Sequence, residues 1–104
     1  MSKKHYILIM NANVKRNIVM KLAPCPNPDM QNSVELYVNH GVVPGSFLKA
    51  VLKNDFIGAA TKSDQKNKEL LREWAIYLVN ELPDACYGSS EKVSDWAKKM
   101  RENV

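Results

Sequence analysis

The side chains that most often carry out chemistry are few in this chain and far apart in it. His5, His40, Cys25 and Cys86 are the only histidines and cysteines among its 104 residues. Zinc sites use such residues at short, regular spacings, and no such spacing occurs here. Nucleophilic catalysis needs a nucleophile held beside a base, and neither histidine has a partner of that kind near it in the sequence. We therefore predict no metal site, no cofactor and no enzymatic activity.

Basic residues are concentrated at one end of the chain. Residues 1–25 contain five Lys or Arg and no acid, whereas residues 26–104 contain ten Lys or Arg and eleven Asp or Glu. The net charge of +4 therefore arises in the first quarter, which is typical of a segment that binds nucleic acid or the acidic surface of a protein. A basic edge strand that discourages aggregation is the alternative. The predicted partner-binding residues are Lys3, Lys4, Lys15, Arg16 and Lys21.

The stretch HGVVPGSF, residues 40–47, contains two glycines but lacks the other features of a phosphate-binding loop. Such a loop follows a strand and usually places Gly-Lys-Ser or Gly-Lys-Thr at the start of a helix. Here the stretch follows a predicted helix and contains no lysine. We interpret Gly41 as the end of one helix, Pro44 with Gly45 as a corner, and Ser46 as the cap of the next helix.

The elements that would position these residues are four predicted helices. The first spans about residues 30–40, is capped by Asp29 and ends at Gly41. Its inner face is Met30, Val34, Tyr37 and Val38. The third runs from a cap at Ser63 or Asp64 to about Leu82. The other two are recognised by their apolar faces. These faces are Phe47, Leu48, Val51, Leu52 and Phe56 in the second helix, and Val93, Trp96, Ala97 and Met100 in the fourth, which is capped by Ser89 or Ser90.

The N-terminal part has a different pattern. HYILIM and NIVMKL are short apolar runs separated by turn-forming residues, which favours a β-hairpin or strand, although NVKRNIVMKLA also fits a short amphipathic helix. PCPNPD then forms a stiff connector. We therefore predict a mainly α fold, a small bundle of about four helices with an N-terminal hairpin or strand. Residues 1–28 form the basic extension and connector and residues 29–104 the helical domain, in one compact unit.

A second set of basic residues favours nucleic-acid binding as an alternative function. The second and third predicted helices, joined by GAATKS at residues 58–63, have the order of a helix-turn-helix unit. Two features weigh against this interpretation: the connection is longer than usual, and the C-terminal half of the third helix is too apolar to lie in a groove. The residues that would contact nucleic acid are Lys62, Lys66, Lys68 and Arg72.

The third predicted helix also has more apolar surface than one core contact requires. Ile76 and Val79 widen the apolar stripe beyond the face that contains Leu78, so this helix is either central in the bundle or has a second partner. Self-association or a protein interface would supply that partner. Candidate aromatic anchors are Trp74, Tyr77, Tyr87 and Trp96, each of which is more often a core residue.

Residues 37–96 resemble a group of short uncharacterised proteins encoded by bacteriophages and prophages. The shared pattern is HG, PG, FL, AVL and N in this order, then VNELP, and then GS followed by E, V and W. The basic N-terminal segment lies outside this pattern. The resemblance carries no activity and no binding residues, but it implies a setting in which a small accessory protein binds and redirects a host component, such as a defence or transcription system.

No segment of the sequence has the features of a membrane span or a secretory leader. YILIM is shorter than the apolar part of a signal peptide, and no apolar run approaches the ~20 residues of a membrane-crossing helix. We therefore expect a cytoplasmic protein, in the host bacterium if it is phage-encoded. The expected function is non-enzymatic binding of a host protein or protein–nucleic-acid complex, as an inhibitor, with homo-oligomers also compatible with the sequence.

Overall fold

The computed structural model describes residues 20–102, and this part of the chain is mainly helical, as predicted. It contains six α-helices, two short 3₁₀ turns at Pro28–Met30 and Asp84–Cys86, and a segment without regular secondary structure, residues 20–25, which we call the strap. None of the described helices is long and apolar enough to cross a membrane. The predicted N-terminal hairpin lies almost entirely outside the described residues. The helices are α1 (Gln31–His40), α2 (Ser46–Leu52), α3 (Phe56–Lys62), α4 (Gln65–Lys68), α5 (Leu71–Glu81) and α6 (Ser90–Glu102).

Helix α1 ends at Gly41, as the sequence predicts. Gly41 has a φ of 73°, in the left-handed region that glycine adopts without strain, and its N–H donates to the carbonyl of Tyr37 at 3.0 Å. A Cβ at this position would lie 2.3 Å from the carbonyl oxygen of Ala97 in α6. Two requirements therefore select glycine here: the turn of the backbone and the close approach of α6.

Of the four predicted helix N-caps, two are wrong, Asp29 and Ser46, and two are confirmed, Ser89 and Asp64. The side chain of Asn27, not Asp29, accepts the first N–H of the Pro28–Met30 turn, and α1 follows directly from that turn. The cap position of α2 is Gly45, and Ser46 is already the first helical residue. The Ser89 hydroxyl accepts the N–H of Lys92 at 3.1 Å, so the predicted serine cap of the last helix is present.

The second predicted helix is two helices in the structure, and the prediction of one apolar stripe that includes Phe56 is wrong. Asn54 has a φ of 63°, its N–H donates to Val51 and the Asp55 N–H donates to Ala50, so α2 ends in a Schellman motif. The Asp55 carboxylate then accepts the N–H of Gly58 at 2.9 Å and starts α3. The segment GAATK, predicted as a break, is therefore helical, and the predicted helix–loop–helix order around it does not occur.

The third predicted helix is also divided, into α4 and α5. Asp64 caps α4 as predicted, because its carboxylate accepts the N–H of Asn67 at 2.8 Å. The helix then stops at Lys68, and α5 restarts at Leu71. Asn67, in α4 just before the break, has a side chain that is only 4% exposed. Its amide is the centre of a buried hydrogen-bond network described below.

The core forms where the inner faces of α1, α2, α5 and α6 meet. Trp74 of α5 has no exposed surface, and its ring packs edge to face against Phe47 at 6.3 Å and against Tyr77 at 6.0 Å between centroids. On the other side, α1 packs against α6. The predicted inner face of the last helix is confirmed, since Val93, Trp96, Ala97 and Met100 are all buried. In the first helix Val34, Tyr37 and Val38 are buried as predicted, whereas Met30 precedes α1 and is only partly buried.

Candidate functional site

The predicted basic segment lies mostly outside the described residues. Lys3, Lys4, Lys15 and Arg16 precede residue 20, and only Lys21, which is exposed on the strap, can be placed. The described part contains eleven Lys or Arg and eleven Asp or Glu, so it has no net formal charge. The excess of +4 therefore belongs to residues 1–19, which contain four basic residues and no acid.

The four cations of the nucleic-acid alternative are exposed, but they lie on three helices among carboxylates. Lys62 ends α3, Lys66 and Lys68 are in α4, and Arg72 is in the first turn of α5. The Lys66 ammonium lies 3.5 Å from the carboxylate of Asp29, an exposed pair of little energetic weight. These positions give a mixed surface rather than the single basic stripe that tracks a phosphate backbone.

Two large apolar side chains at the start of α3 are the most exposed of their kind among the described residues. Phe56 is 73% exposed and Ile57 is 68% exposed. They follow directly after the Asp55 cap, so they occupy the first turn of the helix. The left-handed Asn54 turns the chain before it can continue the buried stripe of α2. The left-handed residue and the helix cap that follows it therefore explain why these two side chains lie in solvent.

The outer face of α5 also exposes apolar side chains. Ile76 is 40% exposed and Val79 is 56% exposed, which fits the second of the two alternatives that the wide apolar arc left open, a helix with apolar surface outside the core. Phe56 and Ala75 line the same cleft between α3 and α5, which has a volume of about 290 Å³ and a floor that includes Val51, Ala59 and Leu71. We call the surface formed by Phe56, Ile57 and Ala75 the docking face.

The large aromatic residues that were candidate anchors belong mainly to the core. Trp74 and Trp96 are 0% and 2% exposed, and Tyr77 is buried. The Trp96 indole N–H donates to the carbonyl of Val38 at 3.2 Å, and the Trp74 indole N–H donates to the Asn67 side-chain oxygen at 3.2 Å. Their polar atoms are satisfied inside the fold, so these residues stabilise the domain and are not accessible to a partner.

The strap lies against α1 and α5, held by side chains that bond to its backbone. The amide of Asn39 accepts the N–H of Met20 at 2.6 Å and donates to the carbonyl of the same residue at 3.2 Å, as a neighbouring β-strand would. Further along, the Gln31 amide accepts the N–H of Cys25 at 2.7 Å. The Gln31 amide at 3.4 Å and the Tyr77 hydroxyl at 2.6 Å both donate to the carbonyl of Ala23.

The side chains of the strap alternate between the core and solvent at its start. Met20 and Leu22 are buried, whereas Lys21 between them is exposed. Burial of the two apolar side chains contributes about 4 kcal/mol before conformational entropy is subtracted. Beside the strap, a cavity of about 340 Å³ extends along α5 and includes Ile76 and Tyr77 in its lining. Its two charged lining residues are both acidic, Glu73 and Glu81.

A buried network of amides joins the end of the strap to the helices. The Asn67 side-chain oxygen accepts from Trp74 and, at 3.1 Å, from the side-chain amide of Asn27, while its own amide group lies 3.4 Å from the sulfur of Met30. Asn27 is 3% exposed. The sequence carries no signal for this network, because isolated asparagines near prolines and helix ends resemble ordinary turn and cap residues.

The buried thiol and phenol do not have the features of a catalytic centre. Desolvation raises the pKa of the Cys25 thiol, which is the opposite of the shift that activates a nucleophile. Burial likewise raises the pKa of Tyr37, whose hydroxyl donates to the carbonyl of Cys86 at 2.6 Å. Within residues 20–102, no group of three or more His, Cys, Asp and Glu side chains is placed to hold a metal ion.

The sequence does contain a signal for the exposure of Phe56 and Ile57, but that signal is confined to the two residues that precede them. Asn54 next to Asp55 combines a residue that tolerates the left-handed conformation with a strong helix cap, which together end one helix and begin another. The apolar periodicity continues across this pair and hides the break.

Comparison of the chain with protein-family models, with curated proteins and with solved structures found no match.

Proposed function

We propose that the protein is a small, non-enzymatic binding protein that docks on another protein through the docking face. The observation that carries this proposal is the exposure of Phe56 and Ile57, 73% and 68%, beside an apolar cleft of about 290 Å³. Contiguous apolar surface on a small domain is typical of a protein interface, and an exposed aromatic side chain beside a cleft is typical of its energetic centre.

The charge distribution supports an acidic partner. The described domain has no net formal charge, so the net +4 of residues 1–19 is not balanced by an excess of acid elsewhere in the chain. A basic segment in the same chain as an apolar face accelerates association with an acidic surface, while the apolar contact sets the rate of dissociation. In the phage setting that the sequence resemblance implies, the partner is a host protein or protein–nucleic-acid complex, and binding inhibits it.

The decisive test separates the two surfaces. Host-cell extract treated with nuclease supplies candidate partners, and the purified partner is then titrated with three full-length chains: the native protein, the Phe56→Ser/Ile57→Ser double variant, and Leu36→Ser. Leu36 is an exposed leucine on α1 that does not line the cleft, so it controls for general surface hydrophobicity. We expect the double variant to bind at least about thirtyfold more weakly and the control to bind as the native chain does.

A second set of variants tests the electrostatic part of the proposal. Changing Lys3, Lys4, Lys15, Arg16 and Lys21 to glutamine should lower the association rate about tenfold at low salt, with little change in the dissociation rate.

An equal affinity of the native chain and of the Phe56→Ser/Ile57→Ser variant for the partner would reject the docking face as the binding surface. Unfolding midpoints of the native chain, of Phe56→Ser/Ile57→Ser and of Leu36→Ser must agree, since the side chains changed in these variants are exposed.

Nucleic-acid binding is the alternative function, favoured by the exposure of Lys62, Lys66, Lys68 and Arg72. It makes a separate prediction: binding of duplex DNA in low salt, with an affinity that falls steeply as salt rises and a slope reduced by each Lys→Gln change. If the duplex binds in this way and the Phe56→Ser/Ile57→Ser variant binds equally well, nucleic-acid recognition replaces protein docking.

A further inference from the structure

We infer that the cavity beside the strap is a binding site for a linear aliphatic diamine, a hydrocarbon chain that carries an ammonium group at each end. We call this cavity, of about 340 Å³, the diamine cavity. No residue lines both the diamine cavity and the cleft of the docking face, so the inference does not depend on the proposed function.

The two acidic residues of the diamine cavity are separated along α5. Glu73 lies in the first turn of the helix and Glu81 ends it, so their α-carbons are about 12 Å apart along the helix axis. Steps of four residues lead from Glu73 to Tyr77 and from Tyr77 to Glu81, and such steps keep all three residues on one face of the helix. The cavity therefore has one carboxylate on each side of Tyr77.

Neither carboxylate is neutralised by the described part of the chain. Among residues 20–102, no Lys or Arg lies within ion-pair distance of Glu73 or Glu81. Residues 73–91 contain four acidic residues and no Lys or Arg, and Lys21, the cation of the strap, does not line the cavity. Two negative charges that share an apolar cavity attract a ligand with a positive charge at each end.

The wall of the cavity selects a hydrocarbon chain as the middle of the ligand. Pro24, Pro26 and Ile76 supply apolar surface. The proline nitrogens carry no hydrogen, and the Tyr77 hydroxyl already donates to the carbonyl of Ala23 at 2.6 Å. A charge in the middle of the ligand would therefore lose water there without gaining a partner. The volume of the cavity lies within the range of small-ligand sites.

Calorimetric titration of the full-length chain with three ligands of equal carbon number tests this inference. Diaminohexane has a charge at each end, hexylamine has one charge, and hexanediol has none. Diaminohexane is shorter than the separation of about 12 Å between the two α-carbons, which leaves room for a glutamate side chain at each end. We expect it to bind at least about fivefold more tightly than hexylamine, because it forms a second ion pair, and we expect no measurable binding of hexanediol.

Matched substitutions locate the site. Glu73→Gln and Glu81→Gln should each weaken the binding of diaminohexane at least about fivefold, because each removes one ion pair. The control is Glu102→Gln, the same change at an exposed residue of α6 that does not line the cavity, and it should bind as the native chain does. Phe56→Ser/Ile57→Ser should also bind diaminohexane normally. Equal affinities for diaminohexane and hexylamine, or equal affinities of the Glu73→Gln/Glu81→Gln and Glu102→Gln variants, would overturn the inference.

The basic residues 1–19 are the other candidate occupant of the diamine cavity, and the same titration tests them. If these residues filled the cavity, their removal as competitors would raise the affinity for diaminohexane at least about fivefold. That result would overturn the assignment of the cavity to a free diamine. We expect instead affinities that agree within about twofold at physiological salt, which screens distant charges. The variant for this comparison changes Lys3, Lys4, Lys15, Arg16 and Lys21 to glutamine.

Discussion

Helix α5 borders both the groove that holds the strap and the docking face. The two surfaces differ in which groups they leave exposed to water. In the groove, polar side chains bond to the strap backbone so that apolar side chains can be buried beneath it. On the docking face, a left-handed residue and a helix cap place two large apolar side chains in water. Tyr77 lies on the first side and Ala75 on the second.

The comparison indicates that Phe56 and Ile57 are exposed because of the local structure of this surface, and not because the domain is too small to bury them. The same chain encloses three asparagines, each at most 8% exposed and each hydrogen-bonded. A fold that satisfies buried amides in this way has a well-defined interior. Apolar surface that remains outside such an interior is therefore available to a partner.

Breaking the network at the end of the strap should have the largest effect on stability. Asn67→Leu removes the oxygen that accepts from the Trp74 indole and from the Asn27 amide, leaving two buried donors without that acceptor. Each buried unsatisfied donor costs about 1–3 kcal/mol, so we expect the free energy of unfolding in urea to fall by about 4 kcal/mol.

Gln65→Leu is the matched control for this change. It introduces the same residue two positions earlier in α4, where the side chain is exposed, and it should change stability by less than about 0.5 kcal/mol. If the two leucine variants are equally stable, the asparagine network does not stabilise the fold, and the contrast between a satisfied interior and an exposed apolar face loses its basis.

Removing the first clamp on the strap should have an intermediate effect. Asn39→Ala deletes both hydrogen bonds to the backbone of Met20, worth about 2 kcal/mol together. Amide hydrogen exchange at Met20 should accelerate in proportion, because this N–H loses its acceptor. The control is Asn32→Ala on the exposed side of α1, which should leave both stability and exchange nearly unchanged. Exchange at Met20 that does not respond to Asn39→Ala would show that the clamp does not hold the strap.

The helices were predictable from the sequence where local signals and periodicity agree. Gly41 ends α1 in the expected conformation, and the inner faces of α1 and α6 are buried largely as expected, because each forms an uninterrupted apolar stripe. The exposure of Ile76 and Val79 fits one of the two alternatives that the wide apolar arc of this helix left open. For the basic segment, the prediction still stands on sequence alone.

Two features could not be predicted in this way. The break at Asn54 lies inside an apolar pattern that continues past it, so periodicity placed Phe56 in the core although it is 73% exposed. The contacts of Asn27, Asn39 and Asn67 are mostly long-range, since Asn39 meets Met20 and Asn27 meets Asn67 across the fold. Such pairings depend on tertiary packing, which a scan along the chain does not detect.

The smallest expected effect concerns the turn that exposes Phe56. Asn54 has a φ of 63°, and among residues with a Cβ, asparagine tolerates this region best. Asn54→Ala should therefore lower the free energy of unfolding by about 1 kcal/mol, whereas Asn54→Gly should not lower it. The pair is informative because both changes remove the same side chain, so a difference between them reports the cost of the left-handed backbone and not the loss of a contact. Urea unfolding of both variants in parallel measures that difference. If alanine and glycine were equally stable at this position, the Schellman turn would impose no conformational demand, and the exposure of Phe56 would need a cause other than the turn that precedes it.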